Sequence, residues 1–117
     1  LMPKDVLNFW FNEIDHSKWW INDLEFDKLI HNQFIDIHTA ANKCELFNWR
    51  TTAQGRLAEI IVLDQFSRNM FRDTPQAFSS DALALALSQE AISVGVEKLS
   101  AVNGPAADEI TVGSVIF

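Results

Sequence analysis

The sequence predicts an all-α protein of packed, tetratricopeptide-like helical hairpins, and three stretches of pattern predict the helices. Phe26, Ile30, Phe34, Ile37 and Ala41 recur at spacings of four, four, three and four, which lays one apolar stripe along five helical turns. Arg56-Leu57-Ala58-Glu59 leads strong helix formers into Ile60-Ile61-Val62-Leu63, and the whole segment exceeds the usual length of a strand. Ala77 to Val94 is long and rich in Ala and Leu, both poor choices for a strand.

Taken in order, Pro3 suits a first helical position, and Val6, Leu7, Trp10 and Phe11 space a first amphipathic helix from about Pro3 to Phe11. Asn12 to Asn22 mixes turn formers with Trp19-Trp20. Asp23 then offers a carboxylate to the free N–H groups of a second helix starting near Leu24. A linker from Asn42 to Thr51 carries Trp49, and Thr51 or Thr52 can cap a third helix from Ala53 to about Phe66. Thr74-Pro75 reads as a cap and first-turn proline for a fourth helix over Ala77 to Val94, ended by Gly95. Asn103-Gly104-Pro105 breaks the pattern, and Ile110 to Phe117 is β-branched, apolar and nearly uncharged. The expected division is a helical domain over 3–99 and an atypical tail over 100–117.

A length of 117 residues suits one domain, and 48% apolar against 21% charged residues is a globular composition. Nine Lys and Arg against 16 Asp and Glu give a net charge of -7 with no basic stripe, so nucleic acid and anionic lipid are not the expected partners. Cys44 is the only cysteine, which rules out an intrachain disulfide and a cysteine-based zinc site. The start, Leu1-Met2-Pro3-Lys4-Asp5, has no secretory pattern, and nowhere do 18 apolar residues run together. The expectation is a soluble, acidic, cytoplasmic protein.

Val6-Leu7-Asn8-Phe9-Trp10-Phe11, Trp19-Trp20, Phe26-Asp27 and above all Leu63-Asp64-Gln65-Phe66-Ser67-Arg68-Asn69-Met70-Phe71-Arg72, followed by Thr74-Pro75-Gln76-Ala77-Phe78, stand in a specific order. In these words and spacings the chain resembles the domain-of-unknown-function 924 family over roughly Val6 to Leu99. The resemblance implies a tetratricopeptide-like helical fold and a bacterial source, and it implies no reaction. Three departures bear on the structure. Ser67 replaces a usual proline, so the third helix is free to continue through Arg68. Cys44 stands near the usual glycine of a helix-ending turn, which leaves Asn42 or Lys43 to adopt a left-handed conformation. Family chains also continue into an aromatic-rich segment, a His-Ser-Glu motif and further helices, so this sequence reads as a truncated or frame-shifted version, with an exposed apolar face able to form oligomers.

Asp64, Gln65, Arg68, Asn69 and Arg72 fall within nine residues, with Asp64 and Arg68 four apart on one helical face. Two readings fit them. The guanidiniums with a nearby amide can grip a carboxylate or phosphate. The same groups can instead satisfy helix ends and a buried ion pair. Trp19 and Trp20, with Trp10 and Trp49, offer either pocket walls beside those arginines or ordinary core packing. His31 and His38 lie about 10.5 Å apart along a helix, too far to share an ion, whereas Asp27 and His31 are close enough for a metal or a surface salt bridge. Neither a metal nor a cofactor is expected. Nucleophile-elbow, phosphate-loop, dinucleotide and zinc-protease motifs are all missing from the sequence. The leading functional expectation is a helical scaffold or interaction module with a protein partner. The alternative is a small-anion-binding protein or enzyme built on Arg68 and Arg72.

Overall fold

A computed structural model describes residues 1–93. Among them every regular element is helical and no strand occurs. The predicted end of the fourth helix at Val94 and Gly95, and the tail over 100–117, lie outside the described residues.

Helix α1 spans Pro3–Asn8, with Pro3 in its first turn and the Asp5 carboxylate accepting from the Met2 N–H at 2.7 Å. Asn8 keeps helical dihedrals, and the chain runs straight into a π turn over Phe9–Glu13. The helical segment thus outlasts its expected end at Phe11. It buries Val6, Leu7, Phe9, Trp10 and Phe11. Where turn formers were expected, His16–Trp20 makes a 3-10 turn. Asp15 opens it by accepting from the Ser17 N–H at 3.0 Å, a bond that lowers the pKa of its carboxyl.

Helix α2, Leu24–Asn42, starts where the sequence places it, because Asp23 accepts from the Phe26 N–H at 3.1 Å. Its predicted stripe faces inward, with Phe26, Ile30, Phe34 and Ala41 buried and Ile37 partly so. The helix ends in a Schellman turn: the Glu45 N–H bonds to the Ala40 carbonyl at 2.9 Å and the Cys44 N–H to the Ala41 carbonyl at 3.0 Å. The left-handed residue is Cys44 itself, with φ 59°, and not Asn42 or Lys43. That geometry places the reversed residue one position after the cap, which here is Lys43.

After a 3-10 turn over Phe47–Thr51, Thr52 caps helix α3, Ala53–Ile61, by accepting from the Gly55 N–H at 2.9 Å. Gly55 is required by space, since a Cβ built there would lie 1.7 Å from the Trp49 carbonyl oxygen. Helix α3 passes into a π turn, Val62–Phe66, and then into helix α4, Ser67–Met70, without leaving helical dihedrals. The rod therefore continues past Phe66, as the serine at 67 allows.

The fourth predicted helix starts later than expected. Pro75–Phe78 is a separate 3-10 turn, and helix α5 spans Asp81–Ser93. Thr74 does not cap with its side chain; its hydroxyl donates to the Phe71 carbonyl at 2.6 Å instead. The break is held from both sides, with Ala77 buried and the Ser80 hydroxyl donating to Asn42 Oδ1 on α2 at 2.5 Å. Asp73, at φ 66°, makes the preceding reversal, a conformation that aspartate tolerates better than most residues.

Helix α1 packs on α3, α2 crosses the second π turn and α4, and α5 lies on α3 and that π turn. Their meeting point is aromatic: Phe9 meets Phe34 edge-on at 5.0 Å, and Phe34 meets Phe66 at 4.6 Å.

Candidate functional site

The polar stretch after the apolar centre of the long rod lies on the seam with α2, and its five residues divide between two carboxylates. Asp64, in the π turn, is almost wholly buried. Its Oδ1 accepts from Arg68 Nη2 at 3.2 Å and its Oδ2 from Gln65 Nε2 at 2.9 Å. Burial pushes the Asp64 carboxyl up to about 6, opposed by the Arg68 charge and assisted by Asp81. Arg68 also approaches Asp81 at 3.9 Å and lies over the Phe78 ring at 5.5 Å.

The second carboxylate is Asp27 of α2, also buried. Arg72 grips it with both prongs, Nε to Oδ2 at 2.7 Å and Nη2 to Oδ1 at 3.0 Å, and Asn69 Nδ2 adds a bond to Oδ1 at 2.9 Å. The remaining Nη1 donates to the Asn22 side chain. The hydrogen bonds to Asp27 raise the Arg72 pKa further and fix the start of α2 to the end of α4. Sequence spacing pairs Asp27 with His31 on its own helix. The structure pairs it instead across 45 residues with Arg72, a contact that local periodicity does not encode.

Arg68 and Arg72 line one cleft of about 450 Å³ with Asp73, Thr74, Pro75, Ala77 and Phe78. No tryptophan lines it. Trp19 is stacked on Trp10 at 5.4 Å, with its indole N–H donating to the Trp10 carbonyl at 3.2 Å. Trp20 is 74% exposed and touches Trp19 edge-on at 6.3 Å. His31 meets the edge of Phe71 at 6.5 Å, and no cluster of three or more metal-ligating side chains forms among the described residues.

Two buried polar groups carry no motif in the sequence. His38 Nε2 lies 2.6 Å from Ser67 Oγ, and that hydroxyl donates to the Leu63 carbonyl at 2.7 Å. The Asn42 amide nitrogen lies 3.2 Å from Nδ1 and 3.3 Å from Nε2 of the same ring, so His38, Ser67 and Asn42 form one polar cluster. Burial, with His31 nearby, holds the His38 pKa below its ordinary value. Glu59, buried within α3, receives both prongs of Arg50 at 2.8 Å. In the sequence Glu59 counts only as a helix former; an acid amid Leu57, Ile60 and Ile61 is the signal by which such a partner could have been sought.

The family described as "Bacterial protein of unknown function (DUF924)" matches residues 6–106. A solved structure of a protein of unknown function from Agrobacterium tumefaciens is similar, with 37% identity and a TM-score of 0.79. The match covers 85% of this chain and 56% of that one, so the chain spans little more than half of that relative's length. No curated protein matches.

Proposed function

Since the chain belongs to the DUF924 family, for which no activity is described, we propose that it is a helical scaffold or interaction module, tetratricopeptide-like in its packing and working in a bacterial cytoplasm. The observation that carries this reading is the outer face of α5. Ala82, Leu85, Ala86, Gln89 and Ile92 lie along it exposed, with Leu85 at 43% and Ile92 at 48%, and none bears a charge. The opposite face, Ala84, Ser88 and Ala91, is the one packed on the rod. An uncharged, partly aliphatic helix face suits another helix, from a partner or a second copy. No described helix is long and apolar enough to cross a membrane. The test combines Leu85→Gln and Ile92→Gln in one variant. Its melting should match the parent while capture of partner protein, or self-association in sedimentation, is lost; unchanged association with unchanged folding would reject the reading.

A second reading, small-anion binding at Asp64, Gln65, Arg68, Asn69 and Arg72, is favoured by the shared cleft of the two arginines. Against it, Asp27, Asp64, Asp73 and Asp81 surround two guanidiniums, and Arg72 is committed on all three nitrogens. Trp19 and Trp20 stand outside that cleft and would take no part. In a thermal-shift screen of carboxylates and phosphates, this reading requires a ligand that stabilises the parent more than Arg68→Ala or Arg72→Ala.

A further inference from the structure

A different cleft is better suited to an anion. It holds about 630 Å³ between the start of α1 and the turn leading into α3, within the range of small-molecule sites. Met2, Pro3 and the Trp49 indole make its apolar walls, and Lys4, Asn48 and Gln54 stand at its edge. Lys4 is the only charged group lining it, and no carboxylate does so. The side chains of Lys4, Asn48 and Gln54 have no ion pair or hydrogen bond among the described residues. This contrasts with the arginine cleft, where every cation already has a carboxylate partner.

Trp49 is itself fixed from behind. Its carbonyl accepts from the Thr52 N–H and presses on Gly55, so the residue carrying the indole is anchored to the first turn of α3. A flat apolar wall on an anchored backbone, with an ammonium and two amides that have no partner among the described residues, is the complement of a planar ring bearing a carboxylate. The ring stacks on the indole, the carboxylate reaches the ammonium, and the amides fix its orientation. We propose that this Met2–Gln54 cleft binds a small aromatic carboxylate, independently of the α5 face and of the seam arginines.

The probe is sodium 2-naphthoate, followed by calorimetry and by the indole N–H resonances of the four tryptophans, Trp49's being identified by its loss in Trp49→Phe. The expected result is saturable binding that moves the Trp49 resonance and leaves that of buried Trp10 in place. Cyclohexanecarboxylate, with the charge but no ring, and 2-naphthalenemethanol, with the ring but no charge, should each bind about tenfold more weakly or worse. Lys4→Glu lies on an exposed side chain and should weaken naphthoate by at least about tenfold without changing the melt. Arg68→Gln should leave binding unchanged. Absence of binding up to about 10 mM, full affinity in Lys4→Glu, or loss in Arg68→Gln alone would overturn the assignment.

Discussion

Cys44 and Gly55 are two residues whose backbone demands are met in opposite ways. Cys44 holds the left-handed position of a Schellman turn that favours glycine. That conformation costs a residue with a Cβ roughly 1–2 kcal/mol, and glycine returns roughly 0.5–1 of it through a more flexible unfolded chain. Cys44→Gly should therefore stabilise the protein by about 0.5–1 kcal/mol, read as a raised urea midpoint with unchanged slope. At Gly55 the demand is already met by the absence of a side chain. Gly55→Ala must push Trp49 away from α3, and a loss of about 3 kcal/mol is expected in the same assay. The first of these sites was legible as a missing glycine, although the sequence pointed to the wrong neighbour for the strained dihedral. Close approach to Trp49 left no mark beyond one glycine in a helical pattern.

Among the elements, the π turn Val62–Phe66 and the α2 segment beside it carry two buried titratable groups with opposite signs. Asp64, raised from 3.8 to about 6, binds its proton more readily folded than unfolded. Its contribution is complete below 3.8 and is lost as pH rises through about 6. His38, lowered from 6.5, binds its proton more readily unfolded, so its contribution is complete above 6.5 and is lost as pH falls through its folded value. In the parent, Asp64's slope between about pH 4 and 6 is opposed by that of His38 wherever the pH lies between the histidine's lowered folded value and 6.5. Asp64→Asn removes one of them, so its unfolding free energy should rise with pH across that window more steeply than the parent's; equal slopes would show that Asp64 does not titrate there. The helical identity of these elements was readable from periodicity and propensity. Their π character was not, because the same residue types suit an α-helix equally well.

For the molecule as a whole, the all-α class and the inward stripe of α2 were legible because burial imposes a period on the sequence. The polar seam was only half legible: Asp64 with Arg68 obeys a four-residue rule, whereas Arg72 with Asp27, His38 with Ser67 and Arg50 with Glu59 join segments whose proximity exists only after folding. Of the two readings open for the tryptophans, core packing describes Trp19, which stacks on buried Trp10 through a contact that spacing does not encode. At this scale the π turn also acts as a phase setter. Holding about one residue more than an α turn, it rotates everything downstream by roughly a quarter turn, which is the bearing on which Asn69 and Arg72 meet Asp27. Removing a single residue between Val62 and Phe66 would restore an uninterrupted α-helix and swing both side chains off their target. Length change at this point is thus a more severe lesion than most substitutions, and natural variation in the rod is expected to exchange residues there while keeping their number.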